Sequence, residues 1–172
     1  MCDIIALSNN VILMNKSFLT IIFLFIASCI YSQDAIFVKG YGYEGYIFPK
    51  EHSIWGFPPE DNRYTPSIED IAYAEKILLN KMGTDYVKRN QKGYCKPINK
   101  RTLNKYVRQY VGYLMDDGAI IIHIYLNRSN YIDNNKISKD IIAVFDGGTV
   151  HWSIKVNLST GEIFDMLVNG QS

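Results

Sequence analysis

Cysteine is scarce in this chain. Three stand in 172 residues, and once the leader described below is set aside, Cys95 keeps company only with Cys29, a candidate lipid attachment point. A disulfide framework is therefore excluded, and the fold must rest on apolar burial. With 48% hydrophobic residues there is enough chain for one core. An excess of one charge is missing too. Eighteen basic residues face seventeen acidic ones, so no whole-molecule field points to nucleic acid or acidic polymers. There is no repeat in the range of roughly 20 to 50 residues and no low-complexity tract. The motifs of common chemistries are also lacking: no His-Glu-x-x-His, no cysteine–histidine ligand spacing, no Gly-x-Ser-x-Gly elbow, no phosphate-cradling glycine loop ending in Lys-Ser or Lys-Thr. Neither a metal nor a cofactor is expected.

What is present begins with period-two alternation. Ile120, Ile122, Ile124 and Leu126 alternate with Ile121, His123 and Tyr125, and Trp152, Ile154, Val156 and Leu158 alternate with His151, Ser153, Lys155 and Asn157. Such spacing puts one set on each face of a sheet. One face is apolar and needs a cover, while the other is mixed, as antiparallel sheets allow. Further strands are expected at Ala35–Phe48 (a Gly- and Tyr-rich strand or hairpin, read as a bent edge element), Tyr106–Met115, Ile141–Phe145 and Ile163–Val168. Asp116-Asp117-Gly118 and Ser159-Thr160-Gly161-Glu162 supply turns.

Thr65 to Met82 reads as a helix, with Thr65 as N-cap, Pro66 in the first turn and Gly83 as the stop. Its apolar stripe is Ile68, Ile71, Ala72, Leu78, Leu79 and Met82. Glu75 falls in mid-stripe, where a carboxylate needs either a cationic partner or a cavity opening. The segment Thr84–Arg108 holds eight of the basic residues against Asp85 alone and reads as a solvated, mobile connector. The prolines Pro49, Pro58 and Pro59 with Trp55 and Phe57 mark an aromatic-pinned loop.

The first 33 residues read as a signal segment. Lys16 precedes an apolar run, Phe18 to Ala27, too short to span a bilayer and suited to a secretory leader. Met14 makes a natural alternative start. Two exits compete: cleavage after Ser32, or a lipobox ending at Cys29, which would then carry the lipid.

The expectation is one α+β domain over residues 34–172, with a main helix packed on a curved antiparallel sheet of four to five strands. This order resembles the cystatin-like and nuclear-transport-factor-2-like architectures. Asp146-Gly147-Gly148, Trp152-Ser153-Ile154 and Thr160-Gly161-Glu162-Ile163 are similar to the C-terminal hairpin of immunity-type members. The ending Val168-Asn169-Gly170 resembles that of uncharacterised exported bacterial proteins. The resemblance covers the last part of the chain and carries no catalytic residue with it.

The functional expectation is an exported domain of the periplasm or cell envelope that binds a protein partner without catalysing a reaction. The candidate face is His123, Tyr125, His151, Ser153, Lys155 and Asn157, held in position by its ladder. A membrane enters only through a lipid anchor at Cys29, and nucleic acid is not a partner. The alternative is a small-molecule pocket between helix and sheet, conceivably catalytic, around Tyr73 and Glu75.

Overall fold

The β-hairpin signals in the second half of the chain turn into a continuous meander. In the computed structural model, which describes residues 34–170 apart from 55–61, 95, 143 and 145, the strands are β4 (Tyr106–Leu114), β5 (Ile120–Arg128), β6 (His151–Asn157) and β7 (Ile163–Val168). Each pairs antiparallel with the next, and Ile124 lies between Tyr110 and Ile154. The leader with Met14 and Cys29, the loop aromatics Trp55 and Phe57 with Pro58 and Pro59, and Cys95 lie outside the described residues.

The N-terminal hairpin, β1 (Ile36–Gly40) and β2 (Tyr43–Phe48), joins this meander in a way that corrects the expected sheet. β2 runs parallel to β4, with Gly45 opposite Arg108 and Phe48 opposite Val111. The short β3 (Arg63–Tyr64) continues the same lane, antiparallel to the far end of β4. The sheet is thus mixed and seven-stranded, in the order β1-β2-β4-β5-β6-β7 with β3 beside β4. A parallel pair requires a long crossover, and here the helices α1 (Ile68–Lys81) and α2 (Asp85–Asn90) lie in it. A third, short helix, α3, spans Asn134–Ile137. Gly45 is what lets β2 approach β4. A Cβ there would meet the Arg108 carbonyl oxygen at 2.2 Å, a distance no side chain tolerates.

Helix α1 starts two residues later than expected. Ser67 is the N-cap, and its hydroxyl accepts from the Asp70 amide (3.1 Å) while Asp70 accepts from the Ser67 amide (2.9 Å). That reciprocal box satisfies two free donors at once. Thr65 instead accepts from the Lys50 amide with its hydroxyl. The helix is also rolled relative to the expected stripe. Ile71, Ala74, Glu75, Ile77, Leu78 and Met82 are buried, whereas Ile68, Ala72 and Leu79 face outward. The buried face packs on Ile122, Ile124, Trp152, Ile154 and Val156, the apolar sheet face read from period two.

The basic connector is not the mobile loop its charge suggested. Val87, Ile98 and Leu103 are buried in the main core. The Gln91 side chain clasps Ile98, donating to its carbonyl (3.0 Å) and accepting from its amide (2.6 Å). Tyr86 accepts from the Met166 amide, and Tyr94 donates to the carbonyls of Val168 and Asn169, which ties the segment to β7. Three apolar anchors among many cations suffice to order it. Ile141, Ile142 and Val144 form no strand, another departure from expectation. Among the described residues no helix is long and apolar enough to cross a membrane.

Candidate functional site

The mixed face is divided into a closed half and an open half. At the closed end, Gln109 on β4 donates to the carbonyls of Ile137 (2.8 Å) and Asp140 (2.7 Å) and accepts from the Ile142 amide (2.9 Å). Asn127 donates to Gln109 at 3.2 Å, and a 2.8 Å bond joins Asn127 Oδ1 to His151 Nδ1. This buried chain of amides holds the 137–142 segment against the sheet, so His151 serves as a fastener there. Burial lowers its pKa from the ordinary 6.5. Next to it, Phe48, Val111 and Ile54 form a second small core, with Tyr46, Tyr113, Tyr125 and Ile141 packed around it. Ser153 is buried, and Asn157 spends its carbonyl on the amides of Ser159 and Thr160 in the β6–β7 turn.

The open half is a groove of about 610 Å³. Of the six face residues expected, it brings together three: His123, Tyr125 and Lys155. Tyr113, Ile121 and Phe164 line it as well, with Leu114 and Met115 at its exposed end. The geometry follows from register. His123 on β5 stands opposite Lys155 on β6, which stands opposite Phe164 on β7. One row across three strands therefore places these side chains in line across the floor.

His123 and Tyr125 stack with ring centroids 4.1 Å apart, and 2.9 Å separates Tyr125 Oη from His123 Nδ1. Burial pulls the imidazole pKa down from 6.5 to about 3, with nearby Lys155 lowering it further and Asp165 opposing weakly. Burial likewise drives the Tyr125 phenol upward, helped by Tyr113. At neutral pH the pair is thus an imidazole and a phenol, both uncharged. A base with a pKa near 3 is poorly matched to proton transfer at neutral pH.

At the groove's edge Lys155 Nζ lies 2.9 Å from Asp165 Oδ2 and 5.9 Å from the centre of the Phe164 ring. Asp165 adopts φ +46°, the one non-glycine with positive φ among the described residues, where the β6–β7 register shifts. That left-handed backbone costs little for Asp and re-aims the end of β7. The sequence offered Lys155 by alternation. It could not offer Tyr113 and Phe164, whose place in the groove depends on the β4–β5 and β6–β7 registers.

The second candidate, Glu75, is resolved on the other side of the sheet. It is buried and receives Arg108 Nε at 3.2 Å, Arg108 Nη2 at 3.5 Å and the Tyr110 hydroxyl at 2.9 Å. The expected cationic partner therefore exists, and it comes from a residue that had been counted with the solvated connector. Arg108 Nη1 also donates to the Tyr106 carbonyl (2.5 Å) and Nη2 to that of Gly42 (3.3 Å). The Tyr110 phenol is raised well above its ordinary pKa, chiefly by burial and then by the Glu75 charge. Tyr73 is exposed on the outer side of the helix, two residues and hence about 200° round from Glu75. A cavity opens beside Glu75, lined by it but not by Tyr73.

Among the described residues no three His, Cys, Asp or Glu side chains are grouped to hold a metal ion. No family model matches the chain, and neither a curated protein nor a solved structure matches it.

Proposed function

We propose that this chain is an exported cell-envelope domain that binds a protein partner through the open half of its mixed sheet face, without catalysis. The observation that carries the reading is the groove itself: rings and apolar side chains from β4, β5 and β7 line about 610 Å³, with a Lys–Asp pair from β6 and β7 at the edge. Side chains fixed by a ladder lose little entropy when a partner arrives. Aromatic floors with a charged rim are the usual energetic anchors of such contacts. The partner segment this groove fits presents an apolar or aromatic side chain, flanked by a cation facing Asp116, a groove residue.

The apolar leader run at residues 18–27 supports export, and the resemblance of the C-terminal hairpin to immunity-type proteins supports partner binding rather than chemistry. We propose the cystatin-like or nuclear-transport-factor-2-like architecture as the parent of this mixed sheet. Intact mass of the native protein tests removal of the leader, and Cys29→Ser separates the two exits, because only lipidation needs that sulfur.

The binding test is capture from an envelope extract by immobilised protein. Tyr125 is a poor target because it packs on the second core, so the informative variant combines Met115→Asp with Lys155→Ala. Met115 is half exposed and Lys155 keeps a third of its side chain in water. Capture should fall at least tenfold while circular dichroism and Tm stay nearly unchanged. Capture that survives this variant but fails when Lys88, Arg89 and Lys92 are neutralised moves the site to the connector and sinks the proposal. Absence of any captured protein sinks it as well.

A further inference from the structure

On the helix-bearing side of the sheet, a cavity of about 670 Å³ lies between α1, the β1–β2 turn and the stretch leading into β4. Its charge is one-sided. Lys76 from α1, Lys100 and Arg101 from the connector, and Arg108 from β4 line it, against a single carboxylate, Glu75. That carboxylate is already paired with Arg108 and accepts from the Tyr110 hydroxyl. Lys76, Lys100 and Arg101 are exposed and take part in no ion pair among the described residues. Lys39, Lys81, Lys88 and Lys155 have carboxylate partners, while Lys92, Lys96, Lys105, Lys136 and Lys139 also stand outside any ion pair among the described residues. What sets Lys76, Lys100 and Arg101 apart is that they line one cavity. The cations here are set around a hollow with nothing of opposite sign left over.

The remaining lining is apolar. Leu79 is 43% exposed and Tyr41 wholly so, and both border the cavity with Ala72 and Leu103. Leu79 belongs to the half of the helix stripe that the core does not use. An apolar wall beside a cationic rim is the signature of a site for an amphiphilic anion: burial of the apolar body contributes the bulk of the affinity, and the charges fix orientation. Arg108 Nη2 is held by two long contacts, 3.3 Å to Gly42 and 3.5 Å to Glu75. The guanidinium is buried, so Arg108 backs the cavity and leaves ligand contact to Lys76, Lys100 and Arg101.

We propose that this cavity binds a small phosphate monoester with an apolar body, the phosphate lying among Lys76, Lys100 and Arg101 and the body against Leu79 and Tyr41. The excess of cations favours a dianion over a monoanion. Guanidinium and ammonium groups both bind phosphate oxygens well. The site is on the face opposite the groove and stands whether or not the groove takes a partner.

Calorimetric titration of the whole protein with phenyl phosphate tests it, with phenol and benzoate as companions. Phenyl phosphate should bind in the millimolar range or tighter and weaken as salt rises. Phenol should bind at least tenfold more weakly, and benzoate should fall between the two. The double variant Lys100→Gln/Arg101→Gln, both positions exposed, should lose at least tenfold in affinity with Tm unchanged. Lys88→Gln/Arg89→Gln, on α2 and outside the cavity, should leave affinity within twofold. No binding of phenyl phosphate at 10-fold above the expected range, equal binding of benzoate, or equal loss in both double variants would each overturn the proposal.

Discussion

Replacing Glu75 by Leu tests whether the ion pair behind α1 is as buried as its contacts imply. Both partners are nearly out of water, with side-chain exposures of 1% for Arg108 and 7% for Glu75. Removing the carboxylate leaves a guanidinium in the interior with only the carbonyls of Tyr106 and Gly42 to face. Breaking a buried pair from one side typically costs about 3–5 kcal/mol, because the stranded charge keeps its desolvation penalty. Arg108→Met should cost a similar amount by stranding Glu75. Tyr110→Phe removes only one hydrogen bond to a charged acceptor, a loss of roughly 1.5–3 kcal/mol. The combined Glu75→Leu/Arg108→Met chain has no charge left to strand, and should lie within about 1 kcal/mol of the parent or exceed it. Urea unfolding followed by circular dichroism, at constant m-value, measures all four. The coupling between the two positions should then be several kcal/mol. A single change costing less than about 1 kcal/mol, or a double change equal to the sum of the singles, would show that water reaches the pair and that the reasoning fails.

Three further outcomes follow from the same geometry. The His123 imidazole has a folded pKa of about 3 against an ordinary 6.5, so the unfolded chain binds the extra proton first. Stability should be fully present above pH 6.5 and decline as pH falls toward 3, by at most roughly 4–5 kcal/mol from this residue. His123→Gln should flatten that part of the pH–stability curve, and parallel curves for the two proteins would rule the assignment out. Ile154→Ala, at a fully buried position, should cost about 2–5 kcal/mol. Ile68→Ala, on the exposed side of α1, should stay within about 0.5 kcal/mol; equal costs would mean that the helix is rolled the other way. Gly45→Ala should destabilise by about 1–3 kcal/mol through overpacking against β4, and a neutral result in thermal unfolding would deny the close approach of the two backbones.

Much of the meander was legible because period two is a local signal. Ile120 to Leu126 and Trp152 to Val156 needed no knowledge of their partners to show which side was apolar. The parallel junction of β2 with β4 was not legible, since nothing near Gly45 announces Arg108 as its neighbour. The same gap hid the partner of Glu75. Arg108 sits in a run of cations, and only its place inside β4 takes it out of water. The helix start was written in the sequence as Ser67-x-x-Asp70, but Thr65-Pro66 offered an equally good local signal, and the choice turned on Thr65 being used by Lys50. Of the candidate face, His151 bonds Asn127, Ser153 is buried and Asn157 caps the β6–β7 turn. All three have the right alternation, and alternation says nothing of what such local contacts will use.

The parallel pairing of β2 with β4 also sets the order in which the molecule assembles. The turns between β4 and β5 and between β6 and β7 are short, so those contacts close small loops at low entropic cost. β2 must wait for a strand that lies beyond both crossover helices, and its contacts raise the mean sequence separation on which folding rate depends. During synthesis the β1–β2 hairpin emerges before β4, and loop-closure entropy favours its docking after the short turns of the meander have closed. Until then the flank of β4 that accepts Gly45 to Phe48 is an unpaired edge, the kind of surface on which chains associate. A protein built this way spends its vulnerable interval with the meander formed and one strand missing, and any factor that holds that edge in the meantime acts on its yield rather than on its final stability.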